Sequence, residues 1–390
     1  MLKYIIKRIL LSILILFGVS LIIYVLVRIQ PGDNFIRKKY SAQLAQGGNT
    51  IVYVDDKGNP ILDENGNVQM VTDIEITVRR MEKTYGLDTS PIEGYFKWLG
   101  NILKGNWGDS FIFSVESGDV ERYYIDSSDG TTKYIPIEKE TVVPAGAKTI
   151  ERKVATQSVI YIIYKKCGIS FIISLIATLF EFLLAIPLGI ISARKQYDAL
   201  DYTVTVLAMM GISLPTFFLG ALMLKIFSID LGWFPYAGLT DPNSGLPWIV
   251  DSMYHLVLPL TTLIILSIGG LMRYTRTNML EVLNADYIRT ARAKGLSEHS
   301  VIYKHAFRNS LIPIVTMLAG ILPGLFGGAM ITETMFSIDG IGKAAYKAVT
   351  QGDIPFIMAY NMFLSLLTVI GTLLSDLMYA VVDPRVKITD

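Results

Sequence analysis

Cysteine and histidine are scarce in this sequence. Its 390 residues include one cysteine, Cys167, and three histidines, His255, His299 and His305. A single cysteine excludes an internal disulfide and a cysteine-based metal cluster. The three histidines do not have the spacing of zinc ligands. We therefore predict no metal site, no cofactor and no catalytic residue in this chain.

Charged residues are also few. They make up 18% of the chain, against about a quarter of an average soluble domain. The net charge is +1, so the charge balance does not favour a nucleic-acid partner. Hydrophobic residues make up 52% and form long apolar blocks, whereas residues 30–166 have an ordinary soluble composition. This division predicts a membrane protein with one polar insert.

A phosphate-binding loop is missing from the sequence. Its closest approximation is the run Gly340-Ile-Gly-Lys-Ala344. Ser337 stands where the leading glycine belongs, and no serine or threonine follows Lys343. We therefore predict that the chain is not an enzyme and that any ATP hydrolysis resides in a partner.

Six apolar segments approach the length of a membrane span. A helix needs about 20 apolar residues to cross roughly 30 Å of hydrocarbon. In lipid the backbone must satisfy its own hydrogen bonds, so these segments are predicted to be helices. The sequence thus indicates an all-α integral membrane protein with six transmembrane helices, at about 9–29, 168–192, 203–225, 255–272, 309–332 and 355–382.

Lysine and arginine are concentrated in the short loops on one side of these spans. Three precede the first span, two follow the second, and seven lie between the fourth and fifth. The opposite loop 229–254 has none. By the positive-inside rule, both termini are predicted to be cytoplasmic in a multi-pass protein of the cell (inner or plasma) membrane.

Three parts are predicted: a tail and first helix at 1–30, an extracytoplasmic insert at 31–166, and a five-helix core at 167–390. Within the insert, 51–78 and 120–154 resemble strands and turns. Residues 91–104 have the apolar spacing of a helix in the membrane interface, with its aromatics at headgroup level. The insert is either a solvated cap or a docking surface for a delivery protein.

Residues 284–296, called the elbow below, lie in the predicted cytoplasmic loop 273–310. Asn284 is expected to cap a first helix, Gly295 to end it in a left-handed turn, and Ser297 to cap a second. One interpretation is a basic loop that only fixes topology. The paired caps favour a rigid knob that fits a cleft in a cytoplasmic partner and turns its closure into helix movement.

Five residues inside the predicted spans also attract attention. Gly320, Gly324 and Gly328 have small-xxx-small spacing and are predicted to share one helix face for close packing. Glu181 lies in the middle of the second span and Asp376 near the inner end of the sixth. Charged groups are costly there, so we expect both to line the pathway or to bond between helices.

Several motifs resemble those of one protein family. The run from Asp286 to Leu296, DYIRTARAKGL, followed by HAFRNSLIP at 305–313, resembles the coupling loop of bacterial ABC-importer permeases, and more narrowly the B-type permease of the dipeptide/oligopeptide branch. The family's usual Glu-Ala-Ala is Arg289-Thr-Ala291 here, without the glutamate. The resemblance extends over nearly all of the chain except about 45–80 and 112–165. Other runs that match the family are Pro31-Gly-Asp33, NWGDS at 106–110, IPLG at 186–189, SLPTF at 213–217, ETMFSIDGIG at 333–342 and Asp383-Pro-Arg385.

The resemblance implies a type I ABC-importer permease that passes peptides into the cytoplasm. Its implied partners are a second homologous permease, two cytoplasmic ATPase subunits that bind ATP and Mg²⁺, and an extracytoplasmic substrate-binding protein. The coupling residues would be Asp286, Tyr287, Arg289, Thr290, Ala291, Arg292 and Gly295. Related cargo such as a nickel chelate or an oligosaccharide, a self-powered secondary transporter, and a membrane-anchored enzyme are the alternatives.

Overall fold

The computed structural model describes residues 2–29, 34–46, 50–52, 62, 66–113, 120–126, 133–136, 148–153 and 157–382. These residues belong to two compact units. The first comprises Met1–Leu16, Ile163–Thr350 and Met362–Asp390, and the second Phe17–Ile162 and Gln351–Asn361. Some features of the sequence lie outside the described residues. These are the runs 31–33 and 383–385, and residues 53–61, 63–65, 127–132 and 137–147 within the two stretches predicted to contain strands and turns.

The described residues are mostly helical. In chain order the helices are α1 (Leu2–Arg28), α2 (Phe35–Gln46), α3 (Asp73–Thr84), α4 (Pro91–Leu103), α5 (Val159–Arg194), α6 (Ala199–Ser213), α7 (Thr216–Met223), α8 (Trp248–Leu283), α9 (Asp286–Ala293), α10 (Glu298–Ser300), α11 (Arg308–Gly320), α12 (Leu322–Gly327), α13 (Met330–Met335), α14 (Ile341–Gln351) and α15 (Ile354–Val382). Two π-helical turns, Leu224–Asp230 and Val301–Phe307, continue α7 and α10.

Four helices in the described part of the chain are long and apolar enough to cross a membrane. They contain Ile6–Arg28, Val159–Arg194, Trp248–Leu283 and Ile354–Asp376. A fifth span arises if the bent pair Ala199–Ser213 and Thr216–Asp230 is one crossing. The prediction of an all-α integral membrane protein is confirmed.

The third and fifth predicted spans are not continuous helices, and this corrects the sequence prediction. The third bends by 102° between α6 and the segment Thr216–Asp230. Proline disfavours a helical conformation in the residue before it, and Leu214, before Pro215, is extended (φ −80°, ψ 132°). The fifth divides into α11, α12 and α13, with Pro323 in the first turn of α12 and Gly328 in the left-handed region after it.

The second unit contains the strands of the insert. Strand β1 (Thr50–Val52) pairs antiparallel with β2 (Met70–Thr72). Strand β3 (Val120–Asp126) lies between β4 (Lys133–Pro136) and β5 (Lys148–Lys153) in an antiparallel sheet. The expectation of strands in both stretches is confirmed, but residues from Asp73 form helix α3, because the Thr72 side chain accepts a hydrogen bond from the Glu75 amide and starts a helix.

Helix α4 occupies the segment predicted to lie in the membrane interface. Tyr95 and Trp98 on its apolar face are each 3% exposed. Their ring centroids lie 5.7 Å and 5.5 Å from that of Tyr24 in α1. The helix is therefore confirmed, but these aromatics pack inside the protein and are not free to lie among lipid headgroups.

Candidate functional site

The elbow forms a short helix with a sharp end. Helix α9 begins after Ala285, whose extended backbone occupies the capping position. The prediction that Asn284 caps this helix is wrong. Its side-chain amide donates to the Leu280 carbonyl at 3.0 Å, because α8 continues to Leu283 and Asn284 terminates it.

The left-handed turn predicted at Gly295 and the cap predicted at Ser297 are both present. Gly295 has φ +78°, a region that residues with a Cβ avoid, and its amide donates to the Arg292 carbonyl at 2.9 Å. The Ser297 hydroxyl accepts a hydrogen bond from the Ser300 amide. The chain thus leaves α9 through a left-handed glycine and enters α10 directly.

One face of α9 is buried against the ends of longer helices. Ile288 is fully buried and Ala291 is 7% exposed. They belong to an apolar cluster, called the seat below, that also contains Ile190, Ala193, Met279, Val301, Ile302 and Ala306. These partners come from α5, α8 and the π-helical turn at 301–307. The seat therefore anchors the elbow to three elements of the first unit.

The opposite face of α9 is exposed and polar. Side chains of Asp286, Tyr287, Arg289, Thr290 and Arg292 are all accessible. Their pairings stay within the loop. Arg289 lies 3.6 Å from Asp286, and Arg292 donates to Glu298 at 2.8 Å. Of the residues expected to couple to a partner, Ala291 alone points into the seat, so the free surface consists of the other side chains and Gly295.

An ion pair between half-buried Arg276 and buried Asp201 braces α8 eight residues before the elbow begins. The Arg276 guanidinium donates from Nε and Nη2 to the two carboxylate oxygens of Asp201, each at 2.8 Å. The Ser192 hydroxyl and the Tyr197 amide also donate to Asp201. Sequence reasoning counted Arg276 only as a topology signal and missed Asp201. The acidic residue in the first turn of α6, beside a basic loop, was the available clue.

Glu181 and Asp376 both contact neighbouring helices. The Glu181 carboxylate of α5 lies next to Ser267 of α8. Asp376 of α15 lies 3.1 Å from the Arg8 Nε of α1. These contacts correspond to one of the two roles expected for each residue, a bond between helices.

The three glycines at 320, 324 and 328 do not share one helix, which corrects the packing prediction. Gly320 ends α11, Gly324 lies in α12, and Gly328 follows α12 at φ +75°. Only Gly328 is crowded: a Cβ there would lie 2.6 Å from Glu333 Oε1 and 2.7 Å from the Gly342 amide nitrogen. The helical periodicity needed for a common face is lost at the breaks on either side of α12.

Sequence reasoning also missed the role of Glu333, which is 1% exposed. Its carboxylate accepts hydrogen bonds from the Ser170 hydroxyl at 2.7 Å and from the amides of Ala329 and Lys343, both at 3.0 Å. A buried carboxylate is tolerated when its oxygens are satisfied in this way. Glu333 thereby fastens the segment after α12 to α5.

Comparisons with known proteins agree on one family. A family model described as a binding-protein-dependent transport system inner membrane component matches residues 185–388. The oligopeptide transport system permease protein AppB of Bacillus subtilis (strain 168) is 31% identical, over 99% of this chain and 100% of its own length. A putative peptide permease protein of Brucella suis biovar 1 is 31% identical over the whole of both chains.

Two further similarities cover less of the chain. The dipeptide transport system permease protein DppB of Bacillus subtilis (strain 168) is 37% identical over 56% of this chain and 68% of its own length. Among solved structures, the MetNI methionine ABC transporter in an inward-facing conformation has 15% sequence identity. That match covers 57% of this chain and 97% of the other, with a TM-score of 0.46.

Proposed function

This chain belongs to the family of binding-protein-dependent transport system inner membrane components, and on that premise we propose that it is the permease subunit that passes peptides into the cytoplasm in an ATP-driven importer. It is a multi-pass membrane permease and not itself the ATPase. Relatives that span the full chain are named peptide permeases, which supports peptide as the cargo class.

The elbow is the observation that carries the coupling proposal. Its inner face is locked into the seat by Ile288 and Ala291, while its outer face presents charged and aromatic side chains. Closely packed helices move as rigid bodies. A partner that pushes on the exposed face therefore displaces α5, α8 and the turn leading to α11 together, without first deforming the elbow.

The remaining partners follow from the same proposal. A second permease completes the pathway, and an external substrate-binding protein delivers the peptide. Two ATPase subunits bind ATP and Mg²⁺ and dock on the elbows from the cytoplasm. Both termini then lie on the cytoplasmic side, together with the basic loop 273–310.

Site-directed cysteine chemistry tests the docking and the orientation at once. The chain has one cysteine, so Cys167→Ser provides a clean background. Arg289→Cys is expected to cross-link to the ATPase subunit and to resist an impermeant maleimide added outside cells. The control, Asp230→Cys, is also exposed and lies at the end of the π-helical turn Leu224–Asp230, on the side proposed to face outward. It is expected to react with the maleimide and not to cross-link.

Reconstitution tests the source of energy. Proteoliposomes that contain the full complex and the peptide-loaded delivery protein are expected to take up labelled peptide only with ATP. Uptake by this chain without ATPase subunits would refute the proposal and favour a self-powered transporter. Maleimide labelling of Arg289→Cys from outside would refute the cytoplasmic placement of the elbow.

A further inference from the structure

A second site candidate lies at the end of α8 that is remote from the elbow. Residues 231–247, which connect the π-helical turn Leu224–Asp230 to α8, line an open cavity of about 630 Å³ together with the first turns of α8. Small-molecule sites usually have volumes of about 300–1,000 Å³. The side chains that matter here are Phe234, Tyr236, Asp251, Tyr254 and His255.

The cavity is preformed by hydrogen bonds of its connecting segment. The Asp241 amide donates to Asp251 Oδ2 at 2.6 Å, and the Gly238 amide donates to the Phe336 carbonyl at 2.9 Å. The Tyr254 hydroxyl donates to the Trp233 carbonyl. A ligand would therefore meet an ordered wall and would not have to organise it first.

Two buried acceptors face each other in this cavity. His255 Nδ1 lies 3.2 Å from the Gly238 carbonyl, and because a carbonyl only accepts, Nδ1 carries the hydrogen. In a neutral ring Nε2 is then an acceptor, and it lies 3.6 Å from Asp251 Oδ1. Both side chains are 4% exposed. This pair is satisfied by a second proton on the ring, by water in the open cavity, or by a ligand that donates to both atoms.

The surroundings favour a cationic donor. The loop 229–254 contains three aspartates and neither lysine nor arginine. The rings of Phe234 and Tyr254, with centroids 5.5 Å apart, form an aromatic wall of the kind that stabilises cations. An ammonium group has three N–H donors and can approach two acceptors at about 2.8 Å each.

We propose that this cavity binds the N-terminal ammonium group of the peptide cargo between Asp251 and His255. The proposal rests on the peptide-permease function above and adds a recognition site on the permease itself. Its position has a mechanical consequence. Asp251 lies near the start of α8, and Met279 of the seat lies about 42 Å further along the same helix at 1.5 Å per residue. Cargo binding and elbow movement would thus act on one helix.

Direct binding to the complex tests this site without the delivery protein. The full chain, assembled with the second permease and the ATPases in nanodiscs, is titrated against Ala-Ala-Ala-Lys carrying fluorescein on the lysine side chain. Fluorescence polarisation reports the affinity. N-acetylation of this probe is expected to weaken binding to the unaltered complex about tenfold or more, since a charge-assisted hydrogen bond is lost.

Asp251→Asn keeps the side-chain oxygen that the Asp241 amide needs but removes the charge. It is expected to weaken binding of the free-amine probe by a similar factor, so that N-acetylation no longer changes the affinity. The matched control is Asp230→Asn, which removes an exposed charge that is paired with Lys225 outside the cavity. It should leave the affinities for both probes unchanged.

Equal affinity of the two probes for the unaltered complex, or no binding of either, would overturn the inference; neither result depends on a variant folding correctly. If uptake is still driven by ATP in that case, only the recognition site is wrong. Failure of the chain to assemble with ATPase subunits would instead refute the proposed function.

Discussion

Truncating Ile288, which holds the elbow in the seat, should uncouple ATP hydrolysis from transport. Ile288 is fully buried among side chains of α5, α8 and the π-helical turn. Ile288→Ala leaves a cavity there, and such changes cost about 2–5 kcal/mol. Even about 2 kcal/mol shifts the ratio of seated to released elbow about 30-fold. Because α9 is only two turns long, this loss falls mainly on the attachment of the elbow.

The assay is the number of peptides taken up per ATP hydrolysed in proteoliposomes. For Ile288→Ala we expect this ratio to fall severalfold while ATP hydrolysis continues. The control is Thr277→Ala in α8, outside the elbow, whose exposed hydroxyl donates to the Arg273 carbonyl within the same helix. An unchanged ratio in Ile288→Ala, with the complex intact by gel filtration, would refute the idea that the seat transmits force.

Three further perturbations test other contacts. Arg292→Glu should abolish uptake. Adding Glu298→Arg should not restore it, because the exposed Arg292–Glu298 pair contributes at most about 1 kcal/mol to stability. Rescue by the double substitution would show that Arg292 acts only through its pair with Glu298. Gly295→Ala should lower uptake, since a left-handed alanine costs about 1–2 kcal/mol although the space is open, and Gly295→Asn should lower it less; equal uptake would contradict this. Burial raises the pKa of Glu75, but hydrogen bonds from Arg79 and Arg37 outweigh it and lower the pKa below its usual value. The resulting stability is present above the unfolded pKa of about 4.3 and is lost as pH falls through the lowered pKa of the folded state. Hydrogen-exchange protection of α3 should therefore decline in acid, and it should decline less in Glu75→Gln. An equal decline in both proteins would argue against this role of Glu75.

The elbow illustrates how far local sequence signals reach. Gly295 and Ser297 act on groups within three residues of themselves, so their roles could be predicted from the chain alone. The prediction that Asn284 caps α9 was wrong for a related reason. Helix α8 continues to Leu283, and no local signal indicates whether Asn284 ends α8 or begins α9.

Hydropathy alone was enough to predict the long helices, because in lipid the backbone must form its hydrogen bonds within the helix, independent of its neighbours. The tertiary structure decided where that pattern breaks and which polar groups meet. Arg276 reaches Asp201 across 75 positions, and Ser170 reaches Glu333 across 163. Such pairs depend on how helices pack against one another. Burial leaves their polar atoms no water to bond with, so only the folded arrangement determines their partners.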